Sequence, residues 1–122
     1  MSDALTTLAE SLYREMFGEE LNLPISYNPA FTISLGETFS TRAGRILTPT
    51  NIEIAERLKN DPDLLSVVLK NQLIYAHCMK QYKETPRAKI FRDLCKRFGV
   101  PVVIGASIEE KYKKPYMRGE IL

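Results

Sequence analysis

The chain has 122 residues, enough for one domain with a modest core. Apolar residues make up 44% and charged residues 26%, the balance of an ordinary globular protein rather than a disordered one. The formal net charge is +2, and no apolar run approaches the ~20 residues needed to span a bilayer, so no membrane partner is expected.

The opening MSDALTTLAESLY carries acidic residues where an export signal would be basic, which points to a cytoplasmic protein. Leu5, Leu8, Leu12 and Met16 recur at helical spacing, with Tyr13 and Phe17 widening the apolar stripe. Ser2 or Asp3 caps this helix and Gly18 terminates it. From Leu23 the period changes. Pro24, Pro29 and Gly36 punctuate short runs rich in β-branched and aromatic residues (ISY, FTISL, TFSTR and RILTP), and Thr41 to Arg45 reads as a hairpin turn. A sheet of about three antiparallel strands is expected, ended by Pro49, with a short helix over residues 51–59.

Asp61-Pro62-Asp63 is a strong helix start: a capping carboxylate, proline at the first helical position and negative charge at the positive end of the dipole. At ~100° per residue, the helix that follows places Leu64, Val67, Val68, Asn71, Tyr75, Cys78, Met79 and Tyr82 on an apolar side, with Gln72 on its flank. Ser66, Lys70, His77 and Gln81 form a polar stripe, so His77 is expected to face water. Pro86 opens a further helix, Arg87 to Phe98, which Gly99 and Pro101 end. An apolar PVVIG segment, a helical turn over residues 107–114 and a tail, KPYMRGEIL, complete the chain. The fold class is therefore α+β, with a domain over residues 1–104 and an extension over 105–122. Cys78 and Cys95, on successive helices and apolar-facing, read as core thiols rather than as a disulfide or a nucleophile.

Several of these pieces resemble the SprT-like (Spartan-type) metallopeptidases. LAESLYREMFGEELNLPISYN is similar to the family's opening helix and first strand, and LGETFSTRAGRILTPTNIEI to its hairpin. VVLKNQLIYAHCM resembles its motif helix, and KIFRDLCKRFGVP the segment that brings its third zinc ligand. The likeness covers roughly residues 5–102 and implies a zincin-like core. In a zinc peptidase HExxH puts two histidines on one helical face and a glutamate between them as general base. Here Asn71, Gln72 and Tyr75 occupy those positions, and the spacing to Phe91 puts the third ligand at Arg87. An amide is a poor zinc ligand, a glutamine takes no proton at neutral pH, and an arginine repels a cation. No catalytic residue, metal or other cofactor is expected. Asn71, Gln72, Tyr75 and Arg87 are instead expected to form a hydrogen-bonded polar plug. No cysteine follows Cys95, so the zinc ribbon common in the family is not expected either.

Two functions fit such a chain. The first is a non-catalytic SprT-like module that binds a protein as adaptor, inhibitor or assembly component. Tyr112, Tyr116, Met117 and the terminal Leu122 are its candidate contacts. A stripped-down relative of this kind would suit a virus or phage. The second is a DNA-associated module. Residues 70–97 carry 8 basic and 2 acidic side chains, against 5 basic and 10 acidic over residues 1–69. Lys80, Lys83, Arg87, Lys89, Arg92 and Lys96 are then the phosphate contacts.

Overall fold

A computed structural model describes residues 3–82 and 88–105 of the chain. It is an α+β fold of three helices and one three-stranded sheet. Helix α1 spans Ala4–Phe17, strands β1, β2 and β3 span Ile25–Asn28, Gly36–Ala43 and Ile46–Ala55, and helices α2 and α3 span Pro62–Tyr82 and Ala88–Arg97. The ends of α1 follow from local chemistry. The Asp3 carboxylate accepts from the Thr6 amide at 2.7 Å, and Gly18 takes the left-handed conformation (φ 67°) while its N–H caps the Arg14 carbonyl. At the start of α2 the Asp61 side chain faces the Leu64 amide at 3.4 Å. Gly99, with φ 66°, closes α3 one residue earlier than the sequence suggests, and Arg87 lies outside the described residues.

The sheet departs from the expected antiparallel arrangement. Its order is β1-β3-β2, with β2 antiparallel to β3 but β1 parallel to it, Ile25 opposite Ile52 and Tyr27 opposite Ile54. After β1 the chain crosses to the far edge, and the hairpin turning at Gly44 (φ 63°) brings β3 back into the centre. A hairpin announces itself through its turn residues, whereas a parallel neighbour is chosen by burial and has no local signature. FTISL accordingly stays irregular, with Ile33 81% exposed.

Pro49 does not end the sheet, and residues 51–59 are not helical throughout. Strand β3 continues to Ala55, and only Glu56–Asn60 form a 3-10 turn. The register shifts between Phe39, which faces Asn51, and Ser40, which faces Pro49. This bulge leaves Thr50 without a partner on β2 and accommodates a proline that has no N–H to give. Beyond it, Ile52 and Ile54 alternate inward with Glu53 half-buried between them, where it accepts a 2.7 Å hydrogen bond from Asn28 of β1. The period is two, not 3.6.

Ile25, Ile52 and Ile54 of the sheet are buried in one cluster with Leu5, Ala9 and Tyr13 of α1 and with Leu64, Val68, Leu69 and Leu73 of α2. A smaller cluster, Ile74, Cys78, Cys95 and Val100, packs α3 against the other side of α2. Helix α2 is thus enclosed on most of its circumference, although Tyr82 at its end is exposed rather than apolar-facing as expected. No helix among the described residues is long and apolar enough to cross a membrane.

Gly36 sets how closely β2 approaches α2. A Cβ there would sit 2.9 Å from Val68 Cγ1, 3.1 Å from Ile54 Cδ1 and 3.3 Å from Gln72 Cγ. Gly36→Ala is therefore expected to cost about 1–3 kcal/mol by overpacking, read as a lower urea midpoint. Adding Val68→Ala should give back part of that loss, and a simple sum of the two single effects would show that the contact is not what costs stability.

Candidate functional site

The polar centre of the molecule is one turn of α2. Asn71 and Gln72 are 3% and 8% exposed, buried among aliphatic neighbours. An unpaired buried amide costs about 1–3 kcal/mol, so the placement demands partners, and a short relay of hydrogen bonds supplies them. The Thr38 hydroxyl of β2 donates to Gln72 Oε1 at 2.7 Å. Gln72 Nε2 donates to Asn71 Oδ1 at 3.1 Å. Asn71 Nδ2 donates to the carbonyls of Pro101 and Val102 at 2.8 and 3.2 Å. Among the described residues no buried side-chain polar atom is left without a partner.

Of the four positions expected to form a plug, the structure brings together Asn71 and Gln72. Tyr75 does not join them: its ring lies edge-on to Phe91 of α3, with centroids 5.6 Å apart. Arg87 is outside the described residues. The partners that sequence reasoning missed are Thr38 and the backbone carbonyls after α3. The close approach allowed by Gly36, two residues before Thr38, was the available signal. Gly36, Glu37, Thr38, Gln72 and Tyr75 line an open groove of about 230 Å³ over the relay.

These residues do not fit a zinc ion. Asn71 turns its amide nitrogen to two carbonyls and its oxygen to Gln72, and the Gln72 oxygen accepts from Thr38, so the fold holds both amides, and a neutral amide is not among the Cys, His and carboxylate donors that zinc takes. The described residues hold no group of three or more His, Cys, Asp or Glu placed to bind a metal.

His77, expected to face water, is covered by α1. Its ring stacks on Phe17 with centroids 3.7 Å apart and planes 7° apart, and Nδ1 lies 2.9 Å from the Tyr13 hydroxyl. Glu19 Oε1 stands 3.5 Å from that hydroxyl and 3.8 Å from Nδ1. A helical wheel drawn for α2 alone cannot show which stripe a neighbouring helix crosses. Desolvation holds the His77 pKa below its ordinary value, opposed by Glu19 and assisted by Lys80. Burial, with Glu19 beside it, pushes Tyr13 up to about 12. The thiols are free and buried, as the sequence suggests. Burial raises Cys78, and burial followed by the neighbouring Cys78 raises Cys95 to about 11, so both stay protonated and poorly nucleophilic near neutral pH. His77 faces α1 while Cys78 packs with Cys95, so they are not a base and its nucleophile.

Of the basic candidates, Lys80 is exposed in the last turn of α2, and Lys89, Arg92 and Lys96 are exposed on α3. Lys89 pairs with Asp93 at 3.0 Å. Lys83 and Arg87 lie outside the described residues, as do Tyr112, Tyr116, Met117 and Leu122. Set beside known protein families, curated proteins and solved structures, the chain has no match.

Two substitutions test these environments. Gln72→Glu places a carboxylate against Asn71 Oδ1. It is expected to lose about 1–3 kcal/mol at pH 7. The buried carboxyl titrates above its unfolded value, so the loss should be small below that value and grow as pH rises through the folded one. Equal urea midpoints for variant and parent at pH 7 would contradict the relay. For His77 the sign is opposite. A folded pKa held below the unfolded ~6.5 means that its contribution is present above pH 6.5 and lost as pH falls through the folded value. Urea midpoints of the parent should therefore drop more between pH 7.5 and 5.5 than those of His77→Phe, which keeps a ring against Phe17 without the proton.

Proposed function

We propose that this chain is a SprT-like module that has exchanged peptidase chemistry for binding, and that it acts in the cytoplasm by holding a protein partner. The observation that carries this reading is the relay through Asn71 and Gln72, which bonds the two amides to partners within the fold. What stays open is the groove above them, with Tyr75 in its wall. It adjoins β2, an edge strand whose second edge pairs with nothing among the described residues. Phe39 on that strand is 37% exposed. An unpaired edge supplies backbone hydrogen bonds to an extended segment, and a flanking groove supplies selectivity for its side chains.

The test is capture of a partner by tagged protein from lysate of the source cell, with and without nuclease. A specific protein is expected in both arms, and Phe39→Ala with Tyr75→Ala should weaken its retention by about tenfold or more, the loss typical of removing hot-spot aromatics. Deleting residues 113–122 measures the contribution of the tail, and unchanged capture would remove Tyr116, Met117 and Leu122 from the interface. Undiminished capture by the doubly substituted variant would place the interface elsewhere.

The second reading, a DNA-associated module, has one favouring observation. Lys89, Arg92 and Lys96 are exposed at a spacing that puts them on one face of α3. Phosphate contacts make affinity fall steeply with salt. Binding to a DNA duplex at ~50 mM salt that weakens as salt is added, and is lost in an Arg92→Ala, Lys96→Ala variant, would move the function to α3.

A further inference from the structure

A second concavity lies away from the amide relay, between α1, the connection to β1, the middle of β3 and the end of α2. Tyr13, Leu21, Leu23, Pro49, Ala76 and Lys80 line a cleft of about 270 Å³. Its origin is a matter of side-chain size. Ala76 and Lys80 are one turn apart on α2, and alanine at the inner position stops short of the volume that a leucine would fill. Pro49, at the bulge of β3, forms part of the opposite wall. The floor is built from buried side chains, since Tyr13 is 2%, Ala76 2% and Leu21 8% exposed. The Tyr13 hydroxyl is already engaged by His77 and Glu19.

The charge pattern of the lining is simple. Among the described residues of the lining Lys80 is the only charged side chain, and it is exposed beside an apolar interior. A pocket of apolar walls with one placed polar group orients a ligand by its head and binds it by its body. A volume just below the ~300 Å³ at which drug-sized pockets begin suits a small molecule better than a folded segment. We infer that this cleft binds a small carboxylate with an apolar body, its head paired with Lys80 and its body against Tyr13, Leu23, Pro49 and Ala76. The assignment stands apart from the partner-binding groove, which is built from other residues.

Titration of the full chain with sodium octanoate, followed by amide shifts in a two-dimensional NMR spectrum, tests it, with 1-octanol as the neutral control. Saturable shifts are expected around Leu21, Leu23, Thr48 and Ala76. Lys80→Gln should weaken octanoate by roughly two- to fivefold, as for a rim ion pair, and leave octanol unchanged. Ala76→Leu should abolish both while keeping a dispersed spectrum. If that variant does not fold, Lys80→Gln with the octanol control still decides the matter. The inference is overturned by failure to saturate at ~10 mM octanoate, by octanol binding as tightly as octanoate, or by a Lys80→Gln variant with unaltered octanoate affinity. Saturation by a leucine-containing peptide but not by octanoate overturns it in favour of a peptide pocket.

Discussion

Three segments far apart in the chain are held together by two adjacent amide side chains. Thr38 of β2, Asn71 and Gln72 of α2, and the carbonyls of Pro101 and Val102 form a single series of hydrogen bonds. In a buried, low-dielectric setting each member is worth most when all the others are satisfied, and a partly satisfied network is worse than an apolar core. The series therefore fixes more than its own geometry. It sets where β2 sits over α2, and with the Val100 amide bonded to the Cys95 carbonyl at 2.8 Å it brings the chain after α3 back to the centre. Gly36 is the steric counterpart of this constraint, since any side chain there would push β2 away from Gln72. The groove over the relay follows from the same close approach.

The helices were legible in the sequence because their signals are local. Asp3 and Gly18 bracket α1, Asp61 and Pro62 open α2, and Gly99 closes α3, each through a backbone group that needs a partner or a conformation that favours glycine. The hairpin was legible for the same reason. What escaped was decided by non-local packing. A proline inside a central strand argues against one, so the sheet is expected to end at Pro49, yet a bulge absorbs it and β3 continues. Ile52 and Ile54 do alternate in the sequence, but the expectation there is a short helix over residues 51–59. The parallel pairing of β1 had no local sign at all.

The candidate site divides along the same line. Asn71 and Gln72 could be placed on the inward side of α2 from spacing alone, and burial then demanded partners. Which partners they found depended on β2 and on the chain after α3, neither of which a helical wheel contains. Tyr75 sits one turn from Asn71, but a ring of its size packs better against Phe91 than within a compact amide pair. His77 shows the converse error. A polar residue on a polar stripe reads as solvent-facing until another helix crosses that stripe with aromatic rings, and Phe17 and Tyr13 do so.

The basic run in residues 70–97 also changes meaning when folded, and this bears on the choice between a protein and a nucleic-acid partner. Lys70 is half-buried and lines a concavity with Leu12, Glu15 and Met16 of α1 and Arg97 of α3. Lys80 stands at the rim of the apolar cleft next to Tyr13 and Ala76. Of the three exposed cations on one face of α3, Lys89 is drawn to Asp93. Lys89 to Lys96 covers about 10 Å of helix at ~1.5 Å per residue, with two cations on that stretch not engaged by Asp93. A contact of that size releases few counterions and gives a shallow salt dependence, whereas proteins that grip duplex DNA neutralise about 6–10 phosphates. A charge block in sequence is not a charge patch in space. Among the described residues the observations favour a strand edge and a groove with an aromatic wall over the few cations that α3 gathers on one face.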